Sequence, residues 1–117
     1  MRKLLFAVLC SFVLLSCGNT KPQMELKFPL VPVDTMVVLV YELQLIESVH
    51  AVRSYSDSLA TPLMLHRVHT LFEQHGVSKE QFEESLRYYQ ESGDELDEIY
   101  SGAVERASEA IAKAESE

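Results

Sequence analysis

Hydrophobic and polar positions divide the chain into three stretches with different periods. From Leu4 to Leu15 the run is apolar except for Cys10 and Ser11. Between Met24 and Leu30, the residues Met24, Leu26, Phe28 and Leu30 alternate with other types, which puts all four on one side of an extended chain. From Asp34 onward the spacing is helical. The run Thr35 to about Tyr55 carries Met36, Leu39, Leu43, Ile46 and Val49 and is apolar nearly all round at its start. That pattern predicts a central helix with Asp34 as its cap. Val37, Val38 and Val40 lower helix propensity, but the pattern runs on too long for a strand.

Three more helices follow from their punctuation. Residues 54–61 read as a polar turn, after which Thr61 can cap a second helix with Pro62 at its first position, where a missing N–H costs nothing. Met64, Leu65, Val68, Leu71 and Phe72 form its stripe, and Gly76 is the stop. Ser78-Lys79-Glu80-Gln81 reads as a capping box in which Ser78 and Gln81 satisfy each other's backbone donors. Phe82, Leu86 and Tyr89 share one face of this third helix, and Gly93 ends it. Asp94 caps a fourth helix carrying Leu96, Ile99, Tyr100, Ala103, Ala107 and Ile111, with acidic residues in its first turns, where the dipole favours them. Gly102 weakens it by about 1 kcal/mol against alanine. The expected fold is all-α, a small bundle of about four helices over residues 34–117.

The first apolar stretch fixes an address. Arg2 and Lys3 precede it and Leu14-Leu15-Ser16-Cys17 closes it, the charged–apolar–small layout of a secretory signal peptide. It is too short to cross a hydrocarbon core of about 30 Å comfortably. Its last four residues resemble a bacterial lipobox. That resemblance implies removal of residues 1–16 and acylation of Cys17 as the first mature residue. Residues 17–33 then form the lipidated cysteine and an extended tether, with Pro22, Pro29 and Pro32 excluding helix. Fully extended, residues 18–33 reach at most about 55 Å at roughly 3.4 Å each. The alternating strip either lies in a groove of its own domain or docks on a partner. Gly18 rather than aspartate follows the cysteine, and no acidic cluster does. By resemblance to sorting signals, this favours the periplasmic face of an outer membrane.

Charge and cysteine content narrow the classes. The formal charge is −8, and loss of Arg2 and Lys3 takes it to −10. Such a balance excludes nucleic acid as the expected partner, and also a posture flat on an anionic membrane surface. Cys10 leaves with the signal and Cys17 carries lipid, so the exported domain stands on its apolar core without an internal disulfide.

Candidate chemistry is sparse. His66, His69 and Glu73 fall within about 60° of one another at helical spacing and form the best metal-like set. They face away from the apolar stripe and lack a fourth ligand, so a solvated outer face is the simpler account and no cofactor is expected. His50 and His75 are isolated. There is no Gly-x-Ser-x-Gly elbow, free mature cysteine or phosphate-cradling glycine loop, and the acidic pairs read as solvated helix faces, so the protein is expected not to be an enzyme. Among the aromatic residues, Tyr88 is turned about 100° from Tyr89 and does not share its pocket. Phe28, Tyr88, Tyr89 and Tyr100 are the candidates for an aromatic-edged groove that receives an apolar peptide.

Several segments together resemble a known family. Cys17 is followed by Val31-Pro32-Val33-Asp34-Thr35-Met36, which opens the long helix. Next come Leu71-Phe72-Glu73-Gln74-His75-Gly76-Val77-Ser78-Lys79-Glu80-Gln81-Phe82, Ser85-Leu86-Arg87-Tyr88-Tyr89 and Leu96-Asp97-Glu98-Ile99-Tyr100. This set is similar to a family of small Bacteroidota lipoproteins catalogued as a domain of unknown function (number 4296). The likeness covers nearly the whole mature chain. In that family the first helix carries an acidic residue among apolar ones, for which Glu42 and Glu47 are available; no catalytic residue is implied. The helix–Gly-Val-Ser–helix step also resembles the helical arms of parvulin-linked periplasmic chaperones, a fold-level analogy.

Together these features imply a lipid-anchored envelope protein acting as a non-enzymatic protein- or peptide-binding module, an adaptor or assembly factor. Its partners would be the membrane, through the anchor, and another envelope protein or an exported peptide. The alternatives are a periplasmic holdase-type chaperone and a metal- or small-ligand-binding lipoprotein using His66, His69 and Glu73.

Overall fold

The computed structural model describes residues 24–117. The expected signal peptide, Cys17 and the start of the expected tether lie outside the described residues. Four helices follow in order: α1 Val33–Arg53, α2 Ala60–His75, α3 Lys79–Ser92 and α4 Asp94–Ser116. The fold is the all-α bundle expected, with no strand among the described residues. α1 packs against both α2 and α4, and α3 packs on α4.

The core sits around the first half of α1. Met36, Leu39 and Val40 meet Ile99 and Ala103 of α4, Phe82 and Tyr89 of α3, and Leu71 and Phe72 of α2. The Phe72 and Phe82 rings lie 5.5 Å apart, tilted by 53°, a geometry that adds about 0.5–1.5 kcal/mol to area burial. Gly102 has a packing reason: a Cβ there would come within 2.9 Å of both Val37 methyls. The residue that weakens α4 locally is the one that lets α1 approach it.

Helix starts differ slightly from expectation. Pro32, not Asp34, is the N-cap of α1, and Asp34 falls in the first turn, where its charge still favours the helix. Leu59, not Thr61, caps α2; its N–H donates to Asp57 Oδ1 at 2.9 Å. Thr61 Oγ1 instead meets His50 Nε2 at 3.0 Å, across the turn. α4 begins at Asp94 itself, with Gly93 as cap at φ 77. At the end of α2, Gly76 adopts φ 61, with its N–H bonded to Glu73 O and that of Val77 to Phe72 O. This is the Schellman closure.

Half of the capping box forms. Ser78 Oγ accepts the Gln81 N–H at 3.0 Å, but the Gln81 side chain donates to Pro29 O at 2.8 Å. That bond is one of four that fix a short extended strap, residues 28–31, to α3. The Phe28 N–H donates to Glu84 Oε1 at 3.0 Å, the Val31 N–H to Ser85 Oγ at 3.0 Å, and the Tyr89 hydroxyl to Val31 O at 2.5 Å. An extended segment entering a core needs partners for its backbone. Gln81, Ser85 and Tyr89, spaced four apart on one helix face, supply them. The alternating strip is therefore interrupted: Val31 goes inward at 1% exposure, while Phe28 is 40% exposed. The strap lies along its own domain, so packing begins at the strap rather than at residue 34.

Candidate functional site

The aromatic candidates have unequal surroundings. Tyr89 is 2% exposed and its hydroxyl is engaged by Val31. Burial pushes its phenol above the ordinary value of 10.0, and the nearby Glu95 and Tyr88 push it further. Tyr89 is thus a latch for the strap, and its ring is not presented to a partner. Tyr88 is half-buried and stands edge-on to Tyr89, with centroids 5.6 Å apart. Phe28 and Tyr100 are partly exposed, one on the strap and the other on α4.

His66, His69 and Glu73 are divided between two clefts. His69 Nε2 lies 3.3 Å from Glu73 Oε1, an exposed i,i+4 pair, and such pairs contribute little. Both line a shallow cleft at the α2–α3 corner together with Phe72, Val77 and Lys79. His66 lines a different cleft, between α1 and α2. Among the described residues, no group of three or more His, Cys, Asp or Glu is placed to hold a metal.

That second cleft is the site that periodicity does not disclose. It has a volume of about 450 Å³ and an apolar floor of Leu45, Ile46, Val49 and Leu71. Glu42, Arg67, Thr70 and Gln74 line it as well. A smaller hollow beside it is lined by Arg53, Leu63, Met64 and again Arg67. The cleft exists because the buried residues of α1 end at Val40. Beyond them, Leu45 and Val52 on α1 and Leu63 and Leu65 on α2 stay exposed. The fully buried residues of α1 lie where it is apolar nearly all round, at its start; farther along, Leu43 and Ile46 are only partly buried against the core. Of Glu42 and Glu47, the first reaches the cleft and the second faces solvent. Arg53 and Arg67 form no ion pair among the described residues. One carboxylate, a histidine and an arginine thus stand around an apolar floor.

No curated protein and no solved structure matches the chain at a significant level. A family model does match, over residues 29–113. It takes in the strap from Pro29, α1 to α3 and nearly all of α4. The chain therefore belongs to the family described as a domain of unknown function, DUF4296.

Proposed function

We propose that this protein is a lipid-anchored envelope protein that acts as a non-enzymatic protein-binding module, with the α1–α2 cleft receiving an apolar segment of another envelope protein. The open apolar floor of Leu45, Ile46, Val49 and Leu71 carries this reading. A groove between two helices suits an amphipathic helix or an apolar peptide, and burying its floor supplies the driving force. Acylated Cys17 would hold the domain at the bilayer, and residues upstream of the strap would set its reach. Tethering raises the effective concentration near membrane partners without any new contact.

The test is in-cell photo-crosslinking from Leu45, with Tyr100 as the comparison site. One dominant protein adduct from Leu45 is expected. A broad set of exported proteins would replace the adaptor with a holdase, and adducts only at Tyr100 would move the site away from the cleft. Cys17→Ala is expected to shift the protein to the soluble fraction. Unchanged membrane fractionation would refute the anchor.

A further inference from the structure

We propose that the turn joining α1 to α2 is a second membrane contact, seating Val52, Tyr55 and Leu59 in the interface of the same bilayer that holds the lipid anchor. This rests on the anchor reading and adds an orientation to it.

Three side chains carry the proposal first. Val52 is 80% exposed, Tyr55 99% and Leu59 69%, and they cluster within eight residues of the hairpin tip. A hairpin tip is a convex projection, which suits penetration between lipid headgroups better than the filling of a groove. Tyrosine is a residue type that favours the headgroup level.

Much of the turn's backbone is already hydrogen-bonded within the segment. The N–H of Ser54 donates to His50 O at 2.8 Å, those of Ser56 and Asp57 to Arg53 O at 3.1 and 3.0 Å, and that of Ala60 to Asp57 O at 3.2 Å. The Leu59 N–H takes Asp57 Oδ1, so the one carboxylate at the tip is turned onto the backbone. Polar groups already paired within the segment lower the cost of leaving water. The His50–Thr61 bond at 3.0 Å ties the two helices together just behind the tip, so the three side chains are presented on a braced support.

Charge and reach agree with this. The chain as a whole is strongly acidic, but between His50 and Leu63 the formally charged residues are Arg53 and Asp57 alone. The tip therefore avoids the repulsion that the rest of the domain would meet at an anionic surface. Arg53, on the last turn of α1, has the length to place its guanidinium among phosphates while its stem stays against apolar surface. From Cys17 to Phe28 the chain covers about 37 Å when extended, at roughly 3.4 Å per residue. α1, with 21 residues, is about 31 Å long. The leash is thus long enough for the far end of α1 to return to the anchor's own membrane.

The chain contains no tryptophan, so Tyr55→Trp places a single reporter at the tip and Tyr100→Trp one on α4. The full lipidated chain would be reconstituted into phosphatidylethanolamine–phosphatidylglycerol vesicles, with and without lipids spin-labelled near the headgroup end of the acyl chain. The tip reporter is expected to shift to the blue and to be quenched about twofold or more by the label, since an interfacial segment sits about 5–10 Å into the headgroup–acyl boundary. The α4 reporter is expected to show neither change. Adding Val52→Ser and Leu59→Ser to the tip reporter is expected to abolish most of the quenching. A chain that floats with the vesicles while its tip reporter stays unquenched overturns the inference and leaves the anchor standing. A blue shift with no loss of intensity to the label means a protein surface covers the tip, a second copy included, and also overturns it. Failure to float overturns anchor and inference together.

Discussion

Tyr89→Phe removes one oxygen and leaves the ring, so it isolates the latch from the packing. The Tyr89 hydroxyl donates to Val31 O inside the core; without it that carbonyl is buried and unpaired, at a cost of about 1–3 kcal/mol. The edge contact with Tyr88 at 5.6 Å is untouched, as is the bond from the Val31 N–H to Ser85. For a domain of this size each kcal/mol moves Tm by about 4–8 °C, so a mid-range loss of about 2 kcal/mol lowers Tm by about 8–16 °C. Thermal and urea unfolding read the stability, and amide exchange at Val31 reads the strap itself, which is expected to lose protection. A pH series adds a sign. Tyr89 holds its proton more tightly in the fold than in the unfolded chain, because of burial first and then Glu95 and Tyr88. Its contribution is therefore complete below the unfolded value of 10.0 and is lost as pH rises through the raised folded one. The variant lacks this titration, so its deficit relative to the parent is expected to narrow in strong alkali. A Tm within about 2 °C of the parent, well inside the loss of one kcal/mol, with Val31 protection unchanged, would refute the latch.

Three further outcomes test other parts of the molecule. Gly102→Ala puts a Cβ against both Val37 methyls; overpacking of about 1–3 kcal/mol is expected to outweigh the roughly 1 kcal/mol gained in helix propensity. Urea unfolding should show a net loss that Val37→Ala in the same chain largely restores, and a stabilised single variant would sink the close-approach account. Ser78→Ala is expected to lower stability by about 1 kcal/mol through loss of the α3 cap, and an unchanged urea midpoint would contradict it. Calorimetric zinc titration of His66→Ala/His69→Ala is expected to match the parent at weak affinity; a tight site present in the parent and lost in the variant would revive the metal reading.

Helix number, order and stops are legible in the sequence because their signals are local. Gly76 and Gly93 both adopt positive φ, and Ser78 caps α3 as its spacing implies. The starts of α1, α2 and α4 fall one or two residues earlier, at Pro32, Leu59 and Gly93, none of which makes a side-chain cap bond; at α2 the Asp57 carboxylate takes the Leu59 N–H instead. The strap is not legible, since what fixes Val31 is a pair of side chains 54 and 58 residues away. Alternation reports that a segment is extended, and nothing in it selects Ser85 or Tyr89. The cleft escapes for a different reason. Met36 and Leu45 belong to the same class on the same helix, yet one is 0% and the other 47% exposed. Periodicity marks which residues would gain from cover; tertiary packing decides which receive it.

The strap also sets how the domain bears load. Tension arriving from upstream meets Phe28, Pro29 and Val31 before it meets any helix. A pull along the strap stretches its bonds to α3 together, so they share the force. A pull away from α3 takes them singly, beginning at Phe28, and peeling needs far less. Because α1 starts at Val33, directly after the last of these bonds, a peeled strap hands the strain to Met36 and Leu39 at the centre of the core. The direction of a tug, as much as its size, then decides whether the bundle stays closed.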